Sequence, residues 1–178
     1  MSAPDRRFQR IGSETLYEGK IFDVVRDTFR FADGEAAERD IVRHGGAVGV
    51  LAHDGEHVFL VRQPREAIDD PDLLEIPAGR RDVEGEEPLS TAQRELAEEI
   101  GMGADHWELV ADFFTSAGMS DERMTIYRAT GLHEAHAESG EDERIELVAW
   151  PLPDIDGAIA ATRDAKTLIA LLWLKPRL

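Results

Sequence analysis

Three glutamates lie within one helical turn of the segment that follows Pro88: Glu95, Glu98 and Glu99. Proline suits the first turn of a helix, and apolar residues recur behind it at helical spacing, so this segment is predicted to be a helix that packs on a core. The apolar stripe consists of Leu89, Ala92, Leu96 and Ile100. Glu95 faces Glu98 at i,i+3 and Glu99 at i,i+4, where like charges destabilise a helix. A hard divalent cation such as Mg²⁺ or Mn²⁺ takes carboxylate ligands and would reverse that effect, so the pattern indicates a metal-binding helix.

The alternative is an ordinary solvated face, because glutamate-rich helix faces are usually exposed surface. The residues around the helix favour metal binding over that alternative. Pro77, Ala78 and Gly79 form a tight entry to the segment, and seven residues separate Glu86 from Arg94. These positions keep a fixed register with the three glutamates.

The arrangement resembles the Nudix box, in which glycine, a short spacer and a glutamate precede seven residues and then Arg-Glu-apolar-x-Glu-Glu-x-Gly-apolar. Residues 94–102 read RELAEEIGM and match the second half. The spacer from Gly79 to Glu86 holds six residues, where the common pattern has about five. Because a loop insertion costs little entropy, the carboxylate geometry is expected to be intact.

The fold is predicted to be an α/β sandwich on a mixed sheet, preceded by a small antiparallel β-sheet. Residues 14–44 alternate as three short strands with a hairpin turn at 32–35, and residues 1 to about 12 are expected to be frayed. The apolar run at 47–52 predicts a buried strand, with 57–63 as its hairpin partner. Further strands are predicted at 73–76, 107–114, 124–129 and 145–150, a polar loop at 67–72, and helices at 155–162 and 165–174.

Composition argues against several classes of protein. The formal net charge of −17 disfavours a broad basic face for nucleic acid. No run approaches the roughly 20 apolar residues of a membrane span, and the N-terminus lacks the apolar core of a signal peptide. The chain has no cysteine, which excludes disulfides and thiol nucleophiles, so a cytoplasmic location is the default expectation.

The similarity extends beyond the box, from about residue 14 to 174. The segments HGGAVGVLA, VRQPR, LLEIPAG, SAGMSDE and DAKTLIALLWL together resemble the ADP-ribose pyrophosphatase branch of the Nudix hydrolases. The resemblance implies hydrolysis of ADP-ribose to AMP and ribose 5-phosphate, with Mg²⁺ or Mn²⁺ as cofactor. It also implies a homodimer that exchanges an N-terminal sheet, residues 1–44, and shares the substrate site with a Nudix domain at 45–178.

The resemblance assigns metal ligands within the box. Glu95 and Glu99 would bind the cation, Glu98 would assist in binding and catalysis, and the backbone carbonyl of Ala78 would complete a site.

The resemblance also implies two further catalytic features. Glu86 would pair with Arg94 and brace the box. The general base would come from an acidic loop, where either Glu141 or Glu143 is the candidate. A solvated acidic loop is the alternative for that segment.

Substrate contacts are implied outside the box. Arg65 corresponds to an arginine that contacts phosphate, and Arg39 to one near the nucleoside. Gly118 and Glu122 fall in a loop on the substrate side.

Two positions depart from the branch pattern near the substrate. Ala117 stands where a proline is usual, and Pro64 where an aromatic residue is common. Other nucleoside diphosphate sugars, such as GDP-mannose, therefore stay open as substrates. A Nudix domain that senses a nucleotide without cleaving it is a further alternative, which the intact box glutamates disfavour.

Overall fold

The computed structural model describes residues 5–136 and 144–178. The chain divides into two units. The first contains Met1–Gly46 and Phe114–Arg123, and the second contains Ala47–Phe113 and Met124–Leu178.

The first unit contains a three-stranded antiparallel sheet in the order β1-β2-β3. Its strands are β1 (Phe8–Glu18), β2 (Phe22–Phe31) and β3 (Ala36–His44). The expectation that residues up to about 12 are frayed was wrong, because β1 pairs with β2 from Phe8 opposite Phe31 onwards. Backbone pairing with β2 extends β1 towards its N-terminus, and the side-chain pattern of these residues does not show that pairing.

The loop between residues 115 and 122 also belongs to the first unit. The Val42 N–H donates to the Met119 carbonyl at 2.8 Å, and the Asp121 N–H donates to the Val42 carbonyl at 3.1 Å. The Asp121 carboxylate accepts from Arg43 at 2.9 Å. Backbone hydrogen bonds and one ion pair together hold this loop against β3.

The second unit is built on a seven-stranded mixed sheet in the order β10-β5-β4-β9-β8, with β6 paired to β5 and β7 paired to β4. Its strands are β4 (Ala47–His53), β5 (His57–Arg65), β6 (Asp70–Glu75), β7 (Ala78–Arg80), β8 (Met102–Phe114), β9 (Arg123–Glu134) and β10 (Glu146–Pro151). The buried strand predicted at 47–52 is central, and β4 runs parallel to β9.

Helices cover both faces of this sheet. They are α1 (Pro88–Ile100), α2 (Ile155–Ala161) and α3 (Ala165–Leu174). Alternate residues of β4 enter two cores: Leu51 packs with α2 and α3 residues such as Leu171, whereas Val50 packs with α1 residues such as Leu96. Opposite side-chain directions along a strand thus produce the predicted α/β sandwich.

None of the helices in the described ranges is long and apolar enough to cross a membrane.

Several elements differ from the sequence predictions, among them β9, which continues to Glu134 where the strand was predicted to end at 129. β6 begins at Asp70, inside the predicted polar loop at 67–72, because Asp70 lies opposite Arg65 of β5 after a register shift. β8 begins at Met102 rather than at 107. The short strand β7 was not predicted; its pairing of Gly79 with Val48 depends on a neighbour distant in sequence.

Candidate active site

Helix α1 presents the box glutamates beside a buried apolar face. Pro88 occupies its first turn, and Gly101 ends it in the left-handed region at φ 67°, a conformation that suits glycine. The buried side chains are Thr91, Ala92, Leu96 and Ile100. Docking of this face on the core sets the direction of the neighbouring carboxylates, as the sequence predicted.

Gly79 lies directly against the carboxylate of Glu95. A Cβ built on Gly79 would fall 1.8 Å from Cδ of Glu95, which is far inside van der Waals contact. Ala78, its neighbour in β7, donates its N–H to Glu99 Oε2 at 3.0 Å. The entry segment therefore contacts two of the three glutamates, and any side chain at position 79 would force the Glu95 carboxylate to move.

Four charged side chains form what we call the box cluster: Glu86, Arg94, Glu95 and Glu98. Arg94 Nη1 lies 2.8 Å from Glu95 Oε1 and 2.8 Å from Glu98 Oε2, and Nη2 lies 3.4 Å from Glu86 Oε2. The predicted contact between Glu86 and Arg94 is therefore present. Thr91, which sequence reasoning did not single out, donates its hydroxyl to Glu86 Oε2 at 3.0 Å. A buried threonine thus holds the glutamate that braces the arginine.

Electrostatics in the box cluster are dominated by negative charge. Burial alone would lower the pKa of Arg94, but hydrogen bonds and charges from Glu86, Glu95 and Glu98 outweigh it and raise the pKa. One guanidinium is thus shared by the three carboxylates of the cluster, with Asp82 further away at 3.7 Å, and Glu99 follows on the same helix.

The donor set of the box fits a hard divalent cation. Within the described part of the chain, no three His, Asp or Glu side chains converge as a ready-made ion site. Arg94 lies among the carboxylates instead, where it neutralises part of their charge. Carboxylate oxygens crowded on one helical turn are ligands that Mg²⁺ or Mn²⁺ prefers. Glu95, Glu98 and Glu99 are the residues that would hold the ion, and this assignment stays a prediction.

A second group of charges, which we call the Glu75 cluster, contains Arg65, Glu75, Asp164 and Lys166. Glu75 is fully buried, and it accepts from Arg65 Nε at 2.5 Å and from Nη2 at 2.9 Å. Lys166 donates to the same carboxylate and lies 3.1 Å from Asp164. The sequence analysis assigned Arg65 to phosphate but missed Glu75. The signal was an acid inside the apolar run LLEI, because a buried carboxylate requires charged partners.

The first unit holds the other predicted substrate residues. Arg39 is exposed and donates to the carbonyl of Glu38 at 2.7 Å. Glu122 accepts from the Thr115 hydroxyl at 2.6 Å, and an added Cβ at Gly118 would meet no atom within 4 Å. Their roles toward a substrate stay predictions.

The two candidates for the general base, Glu141 and Glu143, lie outside the described residues.

Comparisons with known proteins agree with this geometry. The NUDIX domain family matches residues 43–171. An ADP-ribose pyrophosphatase from Mycobacterium tuberculosis (strain ATCC 25618 / H37Rv) is 39% identical over 152 residues, covering 85% of this chain and 73% of that protein. An ADP-ribose pyrophosphatase from Bacillus subtilis (strain 168) is 36% identical over 170 residues, covering 93% and 91%.

A solved structure shares the fold. The crystal structure of an ADP compounds hydrolase matches with a TM-score of 0.86 at 22% identity, over 99% of this chain and 97% of that one. This match confirms the predicted sandwich on a mixed sheet. With the box in register and relatives similar over most of its length, the chain belongs to the Nudix family of hydrolases.

Proposed function

We propose that this enzyme hydrolyses the diphosphate bond of ADP-ribose to AMP and ribose 5-phosphate, with Mg²⁺ or Mn²⁺ as the required cofactor. The observation that carries the proposal is the crowding of three glutamates on α1 beside the entry segment. Glu95 lies against Gly79 and shares Arg94 with Glu98, and Glu99 accepts from the Ala78 N–H. The two ADP-ribose pyrophosphatases similar over most of the chain support the substrate class.

Each box residue has a distinct part in this proposal. Bound divalent cations would neutralise the diphosphate and activate a water for in-line attack. Glu95 and Glu99 hold the cation, with Glu98 and the Ala78 carbonyl as further ligands. Arg94 retains Glu86 as its partner, which keeps the guanidinium close to the carboxylates. Arg65 binds a phosphate oxygen through its planar fork.

A carboxylate of the loop that contains Glu141 and Glu143 removes the proton of the attacking water. The test is to compare Glu141→Gln with Glu143→Gln. We expect one of them to lower kcat by about 10² to 10⁴, and that residue is the base. Full activity of both variants would remove the base from this loop.

Substrate choice is the finer part of the proposal. Arg39 is proposed to lie near the nucleoside of ADP-ribose, and Gly118 and Glu122 are proposed to lie on the substrate side. Ala117 and Pro64 depart from the branch pattern in segments implied to contact the substrate, which makes GDP-mannose the second candidate. The deciding experiment is phosphatase-coupled turnover of a panel of nucleoside diphosphate sugars. A clear preference for ADP-ribose supports the proposal, preference for GDP-mannose changes the substrate, and tight binding without turnover supports the sensor alternative.

We also infer a cytoplasmic homodimer assembled through the N-terminal sheet. All eleven residues of β1 are exposed, among them Phe8, Ile11, Leu16 and Tyr17. A long edge strand with exposed apolar side chains is a typical association surface. Sedimentation at micromolar concentration should give a dimer, and a monomer would remove both the exchange of residues 1–44 and the shared substrate site.

A further inference from the structure

Among the described residues, the hydrogen bonds that fix the guanidinium of Arg65 all come from Glu75, on one edge of the group. Nε and Nη2 donate to the two oxygens of Glu75 at 2.5 and 2.9 Å. A guanidinium has a second donor edge, formed by Nη1 and Nη2, which can bind another planar oxyanion group. The side chain of Arg65 is 41% exposed although that of Glu75 is buried. The edge bound to Glu75 thus faces a buried carboxylate, while the Arg65 side chain as a whole stays partly accessible to solvent.

Lys166 keeps Glu75 charged in the core. Burial alone would raise the pKa of Glu75, but hydrogen bonds and charges from Arg65 and Lys166 outweigh it, and the pKa is lowered. Asp164 balances Lys166 at 3.1 Å. Two carboxylates and two cations therefore form a group with no net charge. Removing either cation would leave the buried charge of Glu75 only partly compensated.

The same segment connects the cluster to the box. The residue after Glu75, Ile76, donates its N–H to the Thr167 hydroxyl at 2.8 Å. Ala78, two residues further, donates its N–H to Glu99. The charge of Glu99 also contributes to the raised pKa of Arg65, after the larger effect of Glu75. Arg65 therefore lies within the electrostatic field of a box carboxylate.

We infer that Glu75 and Lys166 are positioning residues for diphosphate binding, and that they act through Arg65. Glu75 holds the side edge of the guanidinium so that its free edge is presented to a substrate phosphate, and Lys166 holds Glu75 in place. This inference rests on the proposed diphosphate hydrolysis and on the phosphate role of Arg65. A guanidinium that is already fixed loses less conformational entropy when it binds.

The experiment measures steady-state kinetics on ADP-ribose for Glu75→Gln and Lys166→Met. The amide introduced by Glu75→Gln would offer one acceptor and one donor to a guanidinium that only donates. The pair of hydrogen bonds that orients Arg65 is therefore lost. We expect KM to rise about tenfold to hundredfold for Glu75→Gln, and by a smaller factor for Lys166→Met. The affinity for Mn²⁺, followed by electron paramagnetic resonance, should not change.

A double-mutant cycle separates positioning from simple destabilisation. Arg65→Lys keeps the charge beside Glu75 but removes the second donor edge. If Lys166 acts through Arg65, Lys166→Met should raise KM in the wild-type background and have no further effect in the Arg65→Lys background. Additive effects would overturn the inference.

Two variants serve as matched controls. Thr162→Val removes a buried hydrogen bond of 2.7 Å to the carbonyl of Leu74, next to Glu75, and the acceptor of the Asp164 N–H at 3.1 Å, but it leaves the side-chain contacts among Arg65, Glu75 and Lys166 in place. Lys175→Met removes an exposed lysine that pairs with Asp156. Both should leave KM unchanged even where stability falls. An equal rise of KM in Thr162→Val would assign the effect to strand β6 as a whole and contradict the inference.

The inference and the proposed function fail in different ways. Wild-type protein without turnover of any nucleoside diphosphate sugar would contradict the proposed function, and the inference with it. Active wild-type protein whose KM is the same in Glu75→Gln and Lys166→Met would contradict the inference alone.

Discussion

The box cluster and the Glu75 cluster belong to the same unit and use the same chemical groups in different proportions, three carboxylates to one cation in the first and two to two in the second. In the box cluster three carboxylates share Arg94, and Glu98 is 28% exposed. In the Glu75 cluster one fully buried carboxylate lies between Arg65 and Lys166. Surplus negative charge near solvent can be relieved by a cation from solution, whereas a balanced buried group is already satisfied. The first arrangement suits a metal site and the second suits the orientation of a side chain.

The largest expected effect comes from removing one charge of the box. Glu99→Gln should lower kcat by about three orders of magnitude, because a neutral amide is a poor ligand for Mg²⁺. Folding should change little, since the amide oxygen can still accept from Ala78. Glu84, which is exposed in the preceding loop, provides the control Glu84→Gln, which should retain activity. Turnover of Glu99→Gln within about tenfold of wild type would refute the metal assignment.

A steric change tests the box without altering its charge. Gly79→Ala places a methyl group 1.8 Å from Glu95 Cδ, so the carboxylate must move. We expect the affinity for Mn²⁺ to fall about tenfold to hundredfold, measured by titration with electron paramagnetic resonance. In Gly12→Ala the added Cβ meets the Thr28 hydroxyl oxygen at an ordinary 3.6 Å, and Mn²⁺ affinity should be unchanged. Unchanged affinity in Gly79→Ala would mean that Glu95 is not a ligand.

The counterion role of Arg94 distinguishes metal-free from metal-loaded protein. Arg94→Met should lower the free energy of unfolding by about 2 kcal/mol in chelator, because hydrogen bonds between charged groups are lost. Saturating Mg²⁺ should shrink that loss, since the ion takes over the neutralisation. Urea unfolding with and without Mg²⁺ measures both values.

Arg62→Met is the matched control for that experiment. Arg62 has the same 29% side-chain exposure as Arg94 and pairs with Asp72 at 2.9 Å. Its effect on stability should be independent of Mg²⁺. If the loss of unfolding free energy in Arg94→Met were also independent of Mg²⁺, the box cluster would be structural, like the Glu75 cluster.

The smallest effect concerns acid stability of the Glu75 cluster. The pKa of Glu75 is lowered in the folded protein, so in acid the unfolded state binds more protons than the folded state. The stabilisation is fully present above the ordinary glutamate pKa and is lost as the pH falls through the lowered value. Unfolding free energies measured down from about pH 6 should therefore fall less steeply in Glu75→Gln than in wild type, by about 1 kcal/mol in total. Identical slopes would show that Glu75 is not held ionised by its partners.

The box was predictable from sequence because its information is local. Helix α1 and its apolar face follow from spacing within one segment, and the contact between Glu86 and Arg94 was implied by the resemblance of that segment to the Nudix box. The Glu75 cluster was not predictable in the same way, because Lys166 lies 91 residues from Glu75. The early start of β1 and the strand β7 likewise depend on pairing partners that side-chain pattern does not reveal. An acid within LLEI could have indicated a buried charge, but not which cations meet it.

The most direct test of the central claim is hydrolysis of ADP-ribose by the wild-type protein after removal of divalent metal and after addition of Mg²⁺, with both products identified. We predict no turnover in chelator and its return with Mg²⁺, yielding AMP and ribose 5-phosphate in equal amounts. Turnover that persists in chelator, or ADP-ribose left intact with Mg²⁺ present, would contradict the account.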